Sequence, residues 1–129
     1  MKRTILVIED NEQNLYLATF LLEQSGFKVV AARSGPEGIE LASRIQPALI
    51  ILDIQLPQMD GYAVARELRQ NTALKDVPIV AVTSYAMVGD RERTIAAGCN
   101  GYLEKPINPD TFKSEIEKYL KARPSDGGT

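Results

Sequence analysis

The sequence predicts an α/β fold in which five parallel strands form a doubly wound sheet with helices on both faces. Strand-like and helix-like segments alternate five times along the 129 residues, which is the pattern of a parallel sheet with crossover helices. The segments that begin at Thr4, Leu49 and Ile79 are the most apolar and should be central. Lys28 places a charge in the second segment and the fifth is short, so both should be edge strands. These assignments suit the strand order 2-1-3-4-5.

The first half of the chain contains three predicted strands and two helices, with clear signals at the helix ends. Gly26 should end the first helix, because the residue at that place most often needs a positive φ. Ser34 precedes Glu37 by three residues, which is the spacing of a capping box at a helix start. The predicted elements are strand one at Thr4–Ile8, helix one from Asn11 to Gly26, strand two at Phe27–Ala32, helix two from Ser34 to Pro47 and strand three at Leu49–Leu52.

The second half continues the alternation but contains one weak helix. The predicted elements are helix three from Asp60, strand four at Ile79–Val82, helix four between Ala86 and Gly98, strand five at Tyr102–Leu103 and helix five from Pro109 to Leu120. The apolar positions of helix four (Val88, Ile95 and Ala96) are few, so this helix should pack weakly. We expect one domain over residues 1–122 and a disordered polar tail over residues 123–129.

The composition is that of a globular domain and excludes several classes of function. The formal charge of −2 provides no basic surface for nucleic acid or an anionic membrane. The absence of histidine excludes Ser-His-Asp and Cys-His hydrolases, His-ligated metal sites and a phosphohistidine on the chain itself. A single cysteine, Cys99, cannot form an internal disulfide, and we interpret it as a buried packing residue. No signal region or membrane-spanning run is present, so the expected location is the cytoplasm.

Reactive side chains follow four of the predicted strands. They are Glu9 and Asp10 after the first strand, Asp53 after the third, Thr83 after the fourth and Lys105 after the fifth. Each alone is most simply explained as a helix cap, a turn hydroxyl or a solvated charge. Because the carboxyl ends of parallel strands meet at one edge of a sheet, together they indicate a functional crevice.

The chemistry predicted for this crevice is phosphoryl transfer to a carboxylate. Three neighbouring carboxylates repel one another, and a hard divalent cation such as Mg²⁺ relieves that repulsion. The cation would keep Asp53 ionised, and attack of its carboxylate on phosphorus gives an acyl phosphate. Lys105 and Thr83 can contact phosphate oxygens. We expect Lys105 to form an exposed ion pair with the acids, which would contribute little to stability.

Four motifs of this chain resemble those of a known family. They are Glu9-Asp10, the stretch Leu52–Gly61, Val82-Thr83 and Tyr102–Pro106. Together they resemble the receiver domain of two-component response regulators, and the resemblance runs from about Thr4 to Leu120. It implies the flavodoxin-like (receiver) fold. It also implies that Asp53 accepts a phosphoryl group from a phosphohistidine on a partner kinase or phosphotransferase.

The resemblance further implies a metal site and a switch. Mg²⁺ would be bound by Asp10, Asp53 and the main-chain carbonyl of Gln55, with Glu9 acting mostly through water. The switch would run through the residues Thr83 and Tyr102 to the face formed by helix four, strand five and helix five, and a cis peptide bond would precede Pro106. The domain would be a phosphoacceptor signalling domain and not an enzyme, although it would catalyse its own Mg²⁺-dependent phosphoryl transfer and autodephosphorylation.

The first helix begins with Asp-Asn-Glu and we expect no output domain, which is similar to stand-alone receivers of the cell-division regulator type. Such a chain would signal to a separate downstream protein, as a monomer or weak homodimer. Three other classes fit less well. A haloacid-dehalogenase-type phosphatase would need a second Asp where Gln55 stands. A flavodoxin-like carrier is disfavoured because the acids after strand one would repel a flavin phosphate. A dinucleotide-binding domain is disfavoured because no G-x-G-x-x-G motif follows that strand. A degenerate receiver that acts only as a binding module is the remaining rival, and the intact acid set argues against it.

Overall fold

The computed structural model describes residues 2–57, 59–84 and 89–121, which contain a five-stranded parallel sheet of order β2-β1-β3-β4-β5. The strands are β1 Thr4–Ile8, β2 Lys28–Ala32, β3 Leu49–Asp53, β4 Ile79–Thr83 and β5 Gly101–Glu104. The helices are α1 Glu12–Gln24, α2 Gly35–Ile45, α3 Gly61–Gln70, α4 Asp90–Ala96 and α5 Pro109–Lys121, with a 3-10 turn at Thr72–Leu74. The predicted fold class and strand order are confirmed. The predicted tail at 123–129 and the positions 86–88 of helix four lie outside the described residues.

The central strand β3 is buried along its whole length and places its last residue at the carboxyl edge of the sheet. All five of its residues are buried, as its apolar sequence predicts. Leu52 pairs in register with Ile8 of β1, and Asp53 pairs with Val82 of β4. The ends of the three central strands therefore lie side by side, and the residues that follow them are brought to one place.

Side chains from alternate strand positions form a hydrophobic core on each face of the sheet. The core beneath α1 and α5 consists mainly of Ile5, Val7, Leu49, Ile51, Val80, Val82, Leu15, Ala18, Leu22, Phe112, Ile116 and Leu120. The core beneath α2 and α3 includes Leu6, Ile8, Ile50, Leu52, Ala42, Val64, Ala65 and Leu68. Burial on both faces holds the three central strands firmly, so the loops at their ends start from fixed positions.

The helix starts agree with the predicted caps, with one difference in α2. Asn11 and Asp60 each accept a hydrogen bond at 2.9 Å from the main-chain N–H three residues later. The Ser34 hydroxyl accepts the N–H of Glu37 in the same way. The Glu37 carboxylate, however, accepts the N–H of Arg33 at 2.8 Å, one residue before the position that a capping box uses.

The ends of α1 and α2 are set by residues with left-handed backbone conformation. Gly26 has a φ of 93° after α1, as predicted. Helix α2 ends at Ile45, before the predicted end at Pro47, because Gln46 adopts a φ of 47°. No helix in the described part of the chain has both the length and the apolar character needed to cross a bilayer.

Helix α4 is short, and the two apolar residues named above that the structure describes do not form a buried stripe. Ile95 is 58% exposed and Ala96 is also exposed, whereas Thr94 and Ala97 are buried. The Thr94 hydroxyl donates to the Asp90 carbonyl at 2.7 Å, so its burial leaves no polar group unsatisfied. Gly89 precedes the helix and supplies no side-chain cap. The short length of α4 and the lack of a side-chain cap at Gly89 support the prediction of a weakly held helix.

The segment after α4 is anchored by Arg69 of α3. The Arg69 guanidinium donates to the carbonyl of Gly98 at 2.8 Å, to the carbonyl of Leu74 at 2.8 Å and to Oδ1 of Asn100 at 2.6 Å. Asn100 Oδ1 also accepts the N–H of Ile79 at 2.9 Å, which ties the segment to the start of β4. Gly98 has a φ of 106°, and a Cβ there would lie 2.6 Å from Arg69 Cγ. The far end of α4 is therefore fixed.

Candidate functional site

The carboxyl edge of the sheet brings Glu9, Asp53 and Lys105 into direct contact. Asp53 is the last residue of β3 and is 2% exposed, and Glu9 follows β1 and is 5% exposed. Lys105 Nζ lies 3.0 Å from Glu9 Oε1 and 3.3 Å from Asp53 Oδ2. The Lys105 side chain is only 10% exposed, so the expectation of an exposed ion pair is wrong. The turn after β5 carries this ammonium group into a buried position between two buried carboxylates.

Glu9, Asp10 and Asp53 form a cluster of acids that could hold a metal ion. Each residue offers one carboxylate oxygen, and these oxygens all lie within 4.8 Å of one another. Burial raises the pKa of Glu9, and the nearby charge of Asp53 raises it further, against the lowering effects of Lys105 and the Asn11 N–H. The raised pKa of Glu9 reflects the energetic cost of a second buried negative charge beside Asp53.

The donor set of this cluster fits Mg²⁺. All of the side-chain ligands on offer are hard carboxylate oxygens, which Mg²⁺ prefers over softer metals. Asp10 is exposed while the other two acids are buried, so the cluster opens to solvent on one side. Mg²⁺ usually retains several waters, and an open side provides room for them. The residues present therefore fit the cofactor expected from the sequence.

Gln55 lies in the loop after β3, and Thr83 ends β4, the strand that pairs with β3. The main-chain N–H of Gln55 donates to Asp53 Oδ1 at 2.9 Å. Thr83 is the last residue of β4 and is 4% exposed. The Thr83 carbonyl accepts the main-chain N–H of Lys105 at 2.7 Å. This hydrogen bond links the residue that carries the hydroxyl directly to the residue that carries the ammonium group.

Tyr102 belongs to a neighbouring surface. It pairs in register with Ala81 of β4 and lines a cleft with Ile95 of α4 and Tyr119 of α5. Tyr119 packs directly over Gly101, where a Cβ would collide with its ring. The predicted site residues thus fall into two groups, one around Asp53 and one at the surface formed by α4, β5 and α5. The cis bond before Pro106 is present, as expected.

Two features of the site could not be read from the sequence. The Gln55 carboxamide accepts the N–H of Ser84 at 3.1 Å, a contact that depends on a side-chain rotamer. Gly61 lies against the end of β3, because a Cβ there would lie 2.8 Å from the Asp53 carbonyl oxygen and would also collide with the Ile54 backbone. The Asp60-Gly61 pair predicts a turn, but nothing in it indicates this close approach to the strand that carries Asp53.

A sheet of this order with acids and a lysine at its carboxyl edge is the arrangement of a receiver domain, the phosphoacceptor module of two-component signalling. The model of the response regulator receiver domain family matches residues 5–117. The polar-differentiation response regulator DivK of Brucella ovis is 41% identical over 120 residues, which cover 93% of this chain and 98% of that protein. The chain belongs to the response regulator receiver domain family.

Solved structures support the same assignment. The receiver domain of the sensor histidine kinase PA1611 from Pseudomonas aeruginosa, solved with a magnesium ion coordinated in the active site cleft, is 32% identical and has a TM-score of 0.87. That match covers 95% of this chain and 100% of that chain. The chemotaxis protein CheY4 of Vibrio cholerae matches with a TM-score of 0.88 over 92% of this chain and 99% of its own, and at 24% identity it supports the fold alone. Receiver domains interact with histidine kinases and with downstream targets, and Asp phosphorylation and Mg²⁺ binding are typical of the family.

Proposed function

We propose that this chain is a stand-alone, cytoplasmic response regulator that accepts a phosphoryl group on Asp53 from a phosphohistidine of a kinase or histidine phosphotransferase. The observation that carries the proposal is the position of Asp53, buried at the end of the central strand with Lys105 Nζ 3.3 Å from Oδ2. The 129 residues contain no histidine, so none of them can carry the donor phosphohistidine. The receiver domain would span residues 1–122, with residues 123–129 as a polar tail.

The proposed reaction is an exchange of one phosphoryl bond for another. A carboxylate oxygen of Asp53 attacks phosphorus, an O–P bond forms, and the N–P bond of the donor breaks with its electron pair retained by the imidazole. Lys105 stabilises the charge on the phosphoryl oxygens, and the Thr83 hydroxyl donates to another of them. Autodephosphorylation follows when a water oxygen attacks phosphorus, which releases inorganic phosphate and restores the carboxylate.

Mg²⁺ is the cofactor that the site would hold. Asp10, Asp53 and the main-chain carbonyl of Gln55 would bind it, with Glu9 acting mostly through water. When bound, the ion supplies positive charge to the acids and to the phosphoryl oxygens. The 4.8 Å cluster of carboxylate oxygens supports this assignment.

The proposed output surface is formed by α4, β5 and α5. The acyl phosphate carries roughly −1.5 to −2 charges at neutral pH in place of the single charge of the carboxylate, and its phosphoryl oxygens should draw the Thr83 hydroxyl toward Asp53. That movement would leave space which Tyr102 could enter. The cleft between Ile95, Tyr102 and Tyr119 and the missing cap at Gly89 support a surface that changes at low energetic cost. A separate downstream protein would read this surface, and the chain itself would be a monomer or a weak homodimer.

The first test is chemical modification with a small phosphodonor. Incubation with acetyl phosphate and Mg²⁺ should add one base-labile phosphoryl group, seen in the mass of the intact protein. The Asp53→Asn variant should gain none, because an amide is not a nucleophile in this reaction. Asp60→Asn is a matched control, since Asn caps a helix as well as Asp does and Asp60 is exposed in the loop after β3. Equal modification of the Asp53→Asn variant would show that the acceptor is another residue.

A further inference from the structure

Gln55 forms a link of two hydrogen bonds between Asp53 and the end of β4. Its main-chain N–H donates to Asp53 Oδ1 at 2.9 Å. Its carboxamide Oε1 accepts the main-chain N–H of Ser84 at 3.1 Å. Ser84 directly follows Thr83, the hydroxyl residue of the site. One residue therefore touches the proposed acceptor on one side and the end of the neighbouring strand on the other.

The side-chain bond of Gln55 is not required by the fold. Both Gln55 and Ser84 are exposed, so water could satisfy the carboxamide and the N–H equally well. An exposed Gln side chain also loses rotamer freedom when it is held in one position. The Gln55 backbone is held by its bond to Asp53, and from there the side chain reaches the Ser84 N–H after β4.

We propose that Gln55 is a positioning residue whose side chain holds Thr83 and Ser84 in the resting arrangement, and that its hold is released by chemistry at Asp53. The inference rests on the proposed function. In the resting protein Oδ1 belongs to a carboxylate, and the bond that it accepts from Gln55 is charge-assisted. In the acyl phosphate the charge has moved to the phosphoryl oxygens, so the bond from the Gln55 N–H to Oδ1 is weakened.

Phosphorylation also creates a competitor for the Ser84 N–H. The Gln55 carboxamide is a neutral acceptor, whereas phosphoryl oxygens are charged and accept stronger hydrogen bonds. The weaker bond between Gln55 and Asp53 and the new competitor for the Ser84 N–H act in the same direction. Both favour movement of Thr83 and Ser84 away from Gln55. The Gln55 carboxamide therefore stabilises the resting conformation, and it helps to set the fraction of unphosphorylated molecules that adopt the switched conformation.

The test compares wild type with Gln55→Met and Gln55→Glu in the full chain. Met has a similar length but offers no strong acceptor, whereas Glu retains an oxygen at the same place. Without phosphodonor, amide exchange of Ser84 measured by NMR should be about fivefold faster in Gln55→Met than in wild type, the effect of one ordinary hydrogen bond. Gln55→Glu should keep exchange at or below the wild-type rate. Equal exchange in wild type and Gln55→Met would overturn the inference.

A second measurement addresses the switch. Titration with beryllofluoride and Mg²⁺, followed through the Thr83 and Ser84 amide resonances, should reach half-saturation at about fivefold lower concentration in Gln55→Met, because the resting state is no longer favoured by one hydrogen bond. Gln55→Ala should behave like Gln55→Met. Agreement between the two variants would show that the effect comes from loss of the carboxamide and not from poor packing of Met. Faster exchange with unchanged half-saturation would also overturn the inference, since the bond would then not oppose switching.

The two proposals fail in different ways. The exchange rate of Ser84 is measured in the unmodified protein, so it decides whether the bond exists even if acetyl phosphate modifies nothing. Absence of modification in wild type would instead overturn the role of Asp53 as acceptor. Normal modification of wild type combined with equal Ser84 exchange in all variants would leave the proposed function standing and remove the role of the Gln55 side chain.

Discussion

Lys105 places one ammonium group between two buried carboxylates, at 3.0 Å from Glu9 and 3.3 Å from Asp53. Removing one partner of a buried ion pair leaves a buried charge without compensation. We expect Lys105→Ala to lower the free energy of unfolding by about 3 kcal/mol in the absence of metal. Thermal or urea unfolding would measure the loss, and Mg²⁺ should recover much of it by taking the place of the missing positive charge.

Lys118 provides the control for this prediction. Its ammonium lies 3.5 Å from Glu115, but that pair is exposed on α5, with 66% of the Lys118 side chain accessible. Lys118→Ala should therefore change stability by less than about 0.5 kcal/mol. If Lys105→Ala and Lys118→Ala lower the free energy of unfolding equally, the buried ion pairs of Lys105 contribute no more to stability than an exposed pair. A loss in Lys105→Ala that Mg²⁺ leaves untouched would indicate a purely structural lysine.

At the scale of single residues, the sequence predicts which groups meet but not how they are buried. Glu9, Asp53 and Lys105 were expected at one edge because the parallel topology alone brings strand ends together. The burial of Lys105 depends on the path of the turn after β5, and the Gln55–Ser84 bond depends on a rotamer. Neither the burial of Lys105 nor the Gln55–Ser84 bond can be recognised from a pattern of residues in the sequence. By contrast, Cys99 was correctly interpreted as a packing residue, since burial raises the pKa of its thiol to about 11 and keeps it protonated at neutral pH.

At the scale of elements, α4 is the part of the fold most suited to respond to Asp53. Beryllofluoride with Mg²⁺ should change amide exchange in Asp90–Ala96 and at Tyr102 as well as near Asp53. In Thr83→Ala the distant changes should shrink by at least about fivefold, because one hydrogen bond to the phosphoryl mimic is lost, while those near Asp53 remain. Exchange measured by NMR in both states checks this.

Gln70→Ala, an exposed substitution at the end of α3, should leave both sets of changes intact. Changes that stay within the metal crevice in wild type would show that the protein is a passive phosphate carrier. The same result would remove α4, β5 and α5 as the output surface.

The sequence predicts strands better than it predicts α4 for a physical reason. A strand buried on both faces must be apolar throughout, so β1, β3 and β4 were placed to within a residue. A helix of seven residues has too few positions to define a stripe, and α4 buries Thr94 by satisfying its hydroxyl within the helix. Ile95, one of the few apolar residues of this segment, is 58% exposed, whereas Thr94 is 1% exposed.

At the scale of the whole molecule, metal binding should be visible as stability. A ligand that binds only the folded state adds RT ln(1 + [L]/Kd), or about 2.7 kcal/mol at a hundredfold excess over Kd. Mg²⁺ should therefore raise the melting temperature by several degrees, measured by calorimetry or dye fluorescence. Asp10→Ala should abolish the increase, and it should raise the metal-free stability because one negative charge leaves the cluster.

Glu40→Ala removes an exposed acid from α2, on which no metal cluster is found among the described residues, and should keep the full Mg²⁺ effect. A wild-type melting temperature that ignores Mg²⁺ would count against the site as a whole. Equal responses in Asp10→Ala and wild type would count against Asp10 alone.

The anchoring of α4 at one end has a consequence for the form of its motion. Arg69 ties the residues after the helix to α3 and to the start of β4, whereas Gly89 leaves the opposite end uncapped. On switching we therefore expect the helix to pivot about Gly98 and to tilt in preference to sliding. Its arm is about 10 Å long, from seven residues at 1.5 Å each. Displacement on switching should grow steadily from Ala96 back to Asp90, so a small pull near Asp53 is amplified most at the end of α4 where the chain arrives from β4.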